Sequence, residues 1–124
     1  MKRDMDLVRD ILLKVEEAER ALPVGAFYDL RASKDVVDYH LELLIAHGFL
    51  DGTLHGSWGS RVVGGEIDGL TWDGQDFLEA VRDERVWRAV KKAVYEAVGS
   101  TTFDVVKATC SMVATSMIKS HLGA

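Results

Sequence analysis

The chain is 124 residues long, contains one cysteine and carries a formal net charge of −5 at pH 7. Its length fits one compact domain, and a content of 48% apolar and 28% charged residues is typical of globular proteins and argues against a largely disordered chain. No apolar run approaches the roughly 20 residues of a membrane helix and a lone cysteine excludes an internal disulfide, so we expect a cytoplasmic protein without membrane contact.

The first predicted element is an amphipathic helix that begins near Asp4. Apolar residues recur at spacings of three and four from Met5 to Leu22, and Asp4 is expected to be the N-cap. Pro23 lacks a backbone donor and disfavours the helical conformation of the residue before it, so the helix should end before Pro23. The segment 26–30 could be a short strand or the remnant of a second helix, and the sequence leaves both open.

A second amphipathic helix is predicted after Ser33, a favoured N-cap residue, with apolar positions from Val36 to Leu44. Gly48 supplies the left-handed conformation that ends this helix. His40 falls among the apolar positions, and we expect its ring at the edge of the core with a hydrogen-bond partner. The positions expected to be exposed are Lys34, Asp35, Asp38, Tyr39, Glu42 and Ala46.

A β-hairpin is predicted next. Residues 49–50 open the first strand, and 66–72 form the returning strand. The segment 52–65 between them contains five glycines and two serines, which indicates a flexible tip. Two strands paired around such a tip form a wing. The side chains expected to be buried in the returning strand are Ile67, Leu70 and Trp72.

Three more helices are predicted in the rest of the chain. The first is capped by Thr71 or Asp73 and frays in the charged run 82–85. The second ends at Gly99, and residues 100–102 cap the third. The apolar faces of the first two helices comprise Phe77, Leu78 and Val81, and then Val86, Trp87, Val90, Val94 and Val98.

The last predicted helix carries a heptad-like apolar seam. Its members follow at spacings of 3, 4, 3 and 4: Phe103, Val106, Cys110, Val113 and Met117. Such a seam is typical of a homodimer interface, but a helix that packs on its own domain gives the same pattern, and both hypotheses stay open. Cys110 is expected to be a buried structural thiol.

These elements predict a mainly α fold with a small antiparallel β wing, which is a winged helix-turn-helix domain with extra C-terminal helices. The winged helix-turn-helix domain is expected to span 1–85. Residues 86–124 form a C-terminal helical extension and a candidate dimerisation element.

Three stretches of sequence also carry a resemblance to a known family. They are the opening Met-Lys-Arg-Asp-Met-Asp-Leu at 1–7, the residues Tyr39-His40-Leu41, Leu43-Leu44 and Gly48-Phe49-Leu50, and the run 70–78 with its continuation at 80–83. Through them, residues 1 to about 88 resemble a family of bacterial and phage proteins of unknown function whose members open with the same heptapeptide. The resemblance implies a winged-helix fold and brings no known activity or substrate.

Motifs for catalysis and metal binding do not appear in the sequence. There is no GxSxG motif, no GxxxxGK phosphate loop, and no CxxC or HxxxH pair among the four histidines and one cysteine. We therefore expect a protein that is not an enzyme and that uses no cofactor or metal.

The charge distribution bears on nucleic-acid binding. Residues 1–85 carry 10 basic and 18 acidic side chains, whereas residues 86–124 carry 5 basic and 2 acidic. The helix in the recognition position offers three acidic groups against one lysine, which would repel a duplex. DNA contacts would instead come from the termini, the wing and this helix's few suitable side chains: Lys2, Arg3, Arg9, Lys34, Tyr39, Arg61, Arg88, Lys91, Lys92 and Lys107.

Two functions follow from this reasoning, and the sequence holds them nearly level. One is a regulator-like module that binds double-stranded DNA as a homodimer. The alternative is a protein-interaction adaptor that has the winged-helix fold without DNA binding, which the acidic helix favours.

Overall fold

A computed structural model describes residues 2–56, 61–98 and 102–122, and for 95–98 and 121 it describes the backbone alone. In these ranges the chain forms five α-helices, a short 3₁₀ helix and a three-stranded antiparallel sheet. The prediction of a mainly helical fold with a small antiparallel sheet is therefore confirmed. The elements are α1 (Met5–Glu17), β1 (Leu22–Pro23), the 3₁₀ helix (Val24–Phe27), α2 (Lys34–His47), β2 (Leu50–His55), β3 (Gly64–Leu70), α3 (Trp72–Val81), α4 (Glu84–Val98) and α5 (Phe103–His121).

The chain divides into two compact units, Met1–Gln75 and Asp76–Ala124. The division falls within α3, ten residues before the boundary expected from the sequence.

Helix α1 begins as predicted and ends early. The Asp4 side chain accepts hydrogen bonds from the backbone N–H groups of Asp6 (3.0 Å) and Leu7 (3.2 Å), which confirms it as the N-cap. The helix ends at Glu17, and Leu22 belongs to β1, where it pairs with Ile67. Leu22 fits the apolar spacing of α1, but it lies beyond the end of the helix and belongs to the sheet.

Of the two structures considered for residues 26–30, the short helix is closer to what the chain forms, since 26–27 belong to the 3₁₀ helix and no part of the segment is strand. The 3₁₀ helix ends at Phe27, and Tyr28 follows as its C-cap. Val24 and Phe27 are buried, so this single turn is held by its apolar side chains.

Helix α2 has the predicted bounds. Ser33 occupies the N-cap position without a capping bond from its side chain, and its carbonyl accepts from the N–H of Val37 at 2.9 Å. Gly48 ends the helix with a φ of 90°, as predicted, because a left-handed conformation costs a glycine little. The buried face of α2 consists of Val37, Asp38, His40, Leu41 and Leu44.

The three strands pair in the order β1-β3-β2. The β2–β3 pairing runs from Leu50 opposite Leu70 to His55 opposite Gly64, so much of the predicted tip at 52–65 is in fact strand. A glycine is needed at Gly52 because a Cβ atom there would lie only 2.8 Å from the carbonyl oxygen of Glu66 on the neighbouring strand. The centre of the predicted tip, 57–60, lies outside the described residues.

The second unit is built from helices. The predicted apolar faces are confirmed at Phe77, Leu78 and Val81 of α3 and at Val86, Trp87, Val90 and Val94 of α4, all of which are buried. The side chain of Val98 and the predicted stop and caps at 99–101 lie outside the described residues. Thr102 caps α5 by accepting from the N–H of Val105 at 3.3 Å.

Candidate partner-binding surface

Helix α2 is fixed to the start of α1 by His40. The backbone N–H of Asp4 donates to His40 Nε2 at 2.8 Å, and His40 Nδ1 lies 2.7 Å from the carbonyl oxygen of Val36. Because Nε2 accepts, the proton belongs on Nδ1, and the neutral ring satisfies both neighbours. The hydrogen-bonded ring was predicted, but His40 is fully buried and does not lie at the edge of the core.

A polar cluster joins the N-terminal half of α2 to its surroundings. We call Tyr28, Lys34, Asp38 and the Val62 carbonyl the anchor cluster. The Tyr28 hydroxyl donates to Asp38 Oδ1 at 2.6 Å, and Lys34 Nζ donates to Asp38 Oδ2 at 2.7 Å and to the Val62 carbonyl at 3.1 Å. The cluster therefore connects the end of the 3₁₀ helix, α2 and the residues before β3.

Asp38 is the centre of this cluster, and its predicted exposure is wrong. Only 6% of the residue is accessible, because Tyr28 covers one carboxylate oxygen and Lys34 covers the other. A buried carboxylate is tolerated when such partners compensate its lost hydration.

The electrostatics of the cluster follow from these contacts. Burial raises the pKa of Tyr28, and its hydrogen bond to Asp38 adds to the effect. The hydrogen bond to Asp38 also raises the pKa of Lys34, whose ammonium lies 5.2 Å from the centre of the Tyr28 ring. Lys34 is thus held as a cation against an internal anion.

The segment that carries Tyr28 is also bonded to α1. Lys14 Nζ lies 3.1 Å from Asp29 Oδ1, and Arg31 Nε lies 2.8 Å from Asp10 Oδ2. Exposed pairs of this kind contribute little stability each, so their role is to hold the segment in place.

The structure places the other candidate DNA contacts of the first unit on different elements. Lys2 and Arg3 are exposed before α1, Arg9 is half-buried on α1, and Arg61 is exposed next to the Val62 carbonyl of the anchor cluster. Tyr39 is half-buried, with its ring edge-on to His40 at 5.6 Å. The residues before β3, at the loop end of the hairpin, are thus brought to α2 by the bond from Lys34 to the Val62 carbonyl.

The candidate contacts of the second unit lie on α4. Arg88 and Lys92 are exposed, whereas Lys91 is half-buried with its Nζ 6.0 Å from the centre of the Trp87 ring. Arg85, which the sequence analysis did not include, is exposed on the same side as Arg88 and Lys92, since the three follow at helical spacing. Lys107 is exposed on α5.

The predicted dimer seam is largely internal. Phe103, Val106 and Cys110 are buried within the chain, and the Phe103 ring packs edge-on against Phe77 at 5.3 Å. These three residues are therefore covered within the chain, as the second of the two hypotheses, a helix that packs on its own domain, predicts. Burial raises the pKa of Cys110 to about 11, as expected for a structural thiol.

The last two members of the seam remain accessible in part. Val113 is half-buried, and Met117 is 38% exposed in a groove of about 730 Å³ that α5 forms with the start of α4.

The predicted burial and strand position of Trp72 are wrong. Trp72 was expected to be buried in a strand, but it is 85% exposed and is the first residue of α3. The Thr71 hydroxyl accepts from the N–H of Gly74 at 3.0 Å, so Thr71 caps α3 and the strand has already ended. The capping prediction for Thr71 was the signal that could have placed Trp72 on the helix.

The start of α3 is packed on the end of α2. The Thr71 hydroxyl donates to the carbonyl of Gly48, and its N–H donates to the carbonyl of Phe49 at 3.1 Å. A side chain at Gly74 would collide with that Phe49 carbonyl. Trp72 is therefore displayed beside the C-terminal end of α2.

Among the residues that the structure describes, no group of three or more His, Cys, Asp or Glu side chains is placed to hold a metal ion. No helix in the described part of the chain is long and apolar enough to cross a membrane.

The fold and surface define a mainly helical protein with a small three-stranded sheet and an acidic first unit. The chain belongs to the DUF2513 family of hypothetical proteins, whose family model matches residues 2–101. It is 28% identical over 121 residues to an uncharacterised protein of Haemophilus influenzae. The aligned region covers 95% of this chain and 99% of that protein. No solved structure matches the chain significantly. The predicted membership of an uncharacterised family is confirmed.

Proposed function

We propose that the first unit is a winged-helix module that binds a protein partner through α2 and the residues on either side of β3, with Val62 before the strand and Trp72 after it. The winged-helix assignment is supported by the element order α1, β1, 3₁₀ helix, α2, β2, β3 and by the sheet order β1-β3-β2. In this assignment α2 takes the recognition position and the β2–β3 hairpin is the wing.

The single observation that favours a protein partner rather than DNA is that Lys34 is hydrogen-bonded within the chain. It is the one lysine or arginine of α2, and its ammonium is already bonded to Asp38 and to the Val62 carbonyl. A recognition helix needs cations or amides that reach phosphates and base edges. Helix α2 has no asparagine, glutamine or arginine, and its one lysine is bonded within the chain. It also carries two acidic residues, the exposed Asp35 and the half-buried Glu42.

The partner is a protein with a basic surface. The first unit, Met1–Gln75, contains 8 lysines and arginines against 14 aspartates and glutamates. Charge complementarity of this kind accelerates association and excludes other acidic molecules, DNA among them. Trp72 supplies an exposed aromatic side chain next to the same helix, and such residues commonly dominate the binding energy of an interface.

DNA binding through α4 is the second candidate function. It is favoured by the exposed cations Arg85, Arg88 and Lys92, which lie on one side of that helix. Ion pairs to Asp83 (3.7 Å) and Glu84 (3.5 Å) reduce the charge that this side presents.

The experiment combines titration of duplex DNA with capture of partners. Fluorescence anisotropy of a labelled random duplex is measured at low and high salt, with wild type and with Arg88→Glu. Proteins captured from a bacterial lysate by wild type are identified, purified and titrated against wild type, Asp35→Lys, Trp72→Ala and the control Glu17→Lys, which makes the same charge change on exposed α1.

We expect no duplex binding, and we expect a basic partner whose affinity falls in Asp35→Lys and Trp72→Ala but not in Glu17→Lys. Salt-dependent duplex binding that Arg88→Glu abolishes would instead establish the second candidate. A partner that binds all four proteins equally would refute the proposed surface.

A further inference from the structure

Helix α5 has an outer side that the fold leaves uncovered. We define the outer face of α5 as the exposed residues opposite its buried seam: Asp104, Ala108, Ser111, Met112, Thr115 and Lys119, flanked by Val105 and Ile118. These positions follow the helical period and so form one continuous stripe.

The composition of the outer face is unlike that of a solvated helix. Helix α5 has three lysine, aspartate or glutamate side chains in 19 residues, whereas α4 in the same unit has six charged side chains in 15. On the outer face and its flanks, Val105 is 47%, Met112 73% and Ile118 60% exposed. Large apolar side chains that are exposed along one helix are typical of a surface that binds another molecule.

One polar group of the outer face, the Thr115 hydroxyl, is compatible with burial. The Thr115 hydroxyl donates to the Ser111 carbonyl at 2.8 Å within the same helix. Covering Thr115 therefore leaves no unsatisfied donor, and its methyl group adds to the apolar surface.

We propose that the outer face of α5 pairs with the same face of a second copy of this chain, with the two helices antiparallel. A two-fold axis that crosses the helix midway between Asp104 and Lys119 brings Asp104 of one copy level with the partner subunit's Lys119. The same operation creates the second, identical pair at the other end. The face is thus complementary in charge to itself, and this property selects a second copy as the occupant.

The middle of this pairing is suited to close contact. Ala108, Ser111 and Thr115 are small, so two helix backbones can approach there, while Met112 lies beside the two-fold axis and fills the space between them. None of the predicted seam residues is used, and the pairing is independent of the partner-binding surface on the first unit.

The size of the face sets the strength of the pairing. A helix of 19 residues is about 28 Å long, and one face is about 10 Å wide. The area buried by one helix pair is therefore smaller than that of a standard stable interface. We expect a reversible dimer whose population depends on concentration in the micromolar range.

The test uses the full chain in sedimentation velocity over a series of micromolar concentrations. The variants are Asp104→Lys and Lys119→Asp, each alone, together in one chain, and as an equimolar mixture of the two single variants. Lys107→Asp on the flank of the helix is the matched control. Circular dichroism at increasing temperature verifies that each variant is folded.

We expect each single variant to weaken dimerisation at least about tenfold, because two attractive pairs become repulsive. The double variant and the mixture should both restore the dimer, since every lysine again meets an aspartate across the interface. Lys107→Asp should dimerise like wild type.

Three outcomes overturn the proposal. A wild-type chain that stays monomeric at every concentration excludes the dimer. Single variants that dimerise like wild type exclude this face. A mixture that stays monomeric although wild type dimerises excludes the antiparallel register.

Discussion

The hydroxyl of Tyr28 donates to the carboxylate of Asp38 across 2.6 Å, although ten residues separate them in the chain. Their bond attaches the segment before α2 to the helix itself. Asp38 then has one oxygen left for Lys34, and through Lys34 it reaches the backbone at Val62. One buried carboxylate thus organises the proposed partner-binding surface.

Replacing Asp38 should therefore destabilise the first unit. We expect Asp38→Ala to lower the free energy of unfolding by about 1 to 3 kcal/mol, because the Tyr28 hydroxyl loses its acceptor. Urea denaturation measures this loss. In a double-mutant cycle with Tyr28→Phe, the two losses should overlap by more than about 0.5 kcal/mol. Asp35→Ala, at an exposed neighbour, is the control, and strictly additive losses at Tyr28 and Asp38 would contradict the assigned bond.

His40 supports the same surface from inside. Its change to Leu removes the acceptor for the N–H of Asp4, and we expect a loss of about 1 to 3 kcal/mol in the free energy of unfolding. His55→Leu, at an exposed strand position, should change stability by less than about 0.5 kcal/mol. Equal effects of the two substitutions in urea denaturation would show that the ring is not buried as described.

Two of the three tryptophans, Trp72 and Trp87, should differ strongly in the loss of stability that truncation causes. Trp87 is 3% exposed, and Trp87→Ala should cost about 3 to 5 kcal/mol of stability. Trp72 is 85% exposed, so Trp72→Ala should change stability by less than about 0.5 kcal/mol while weakening partner binding. Thermal unfolding of both variants tests the contrast, which fails if Trp72→Ala is the more destabilised.

Cys110 predicts a dependence of stability on alkaline pH. Its pKa is raised by burial from 9.0, the value of an unperturbed thiol, to about 11 in the folded chain. The neutral thiol is thus favoured by folding, and the stability it contributes is present below about pH 9 and is lost as the pH rises towards 11. Compared with wild type, Cys110→Ala should lose less stability over that range in urea titrations. The thiol of the folded wild type should also react slowly with a disulfide reagent at pH 8, and a rate equal to that of the unfolded chain would contradict its burial.

Asp83 predicts a dependence on acidic pH. Its side chain accepts from the N–H groups of Val86 (3.1 Å) and Arg85 (2.8 Å), and the bond from Val86 is the main cause of its lowered pKa. The carboxylate form is favoured by folding, so its contribution is present above the unfolded pKa of about 3.9 and is lost as the pH falls through the lower folded value. In acid unfolding followed by circular dichroism, Asp83→Asn should show a shallower loss of stability than wild type below pH 4. Identical profiles would show that Asp83 does not make these bonds to the first turn of α4.

Local signals predicted much of the fold. Asp4 and Gly48 act through neighbouring backbone, and the apolar residues of α3 and α4 follow one helical period, so each was visible in a short window of sequence. The exposure of Asp38 was misjudged because Tyr28 and Val62, which cover it, are distant in the chain. The spacing of apolar residues also does not show whether they are covered by their own chain or by a second copy. For this reason the seam from Phe103 to Cys110 was compatible with both a dimer and an internal core.

Pro23 has a consequence for the sheet as a whole. It lies in β1, a two-residue strand at one edge of the order β1-β3-β2, and it has no amide hydrogen. An extended chain that approaches this edge finds a missing donor and a strand too short to template it. The sheet is thereby protected on that side against the stepwise addition of strands by which fibrils grow.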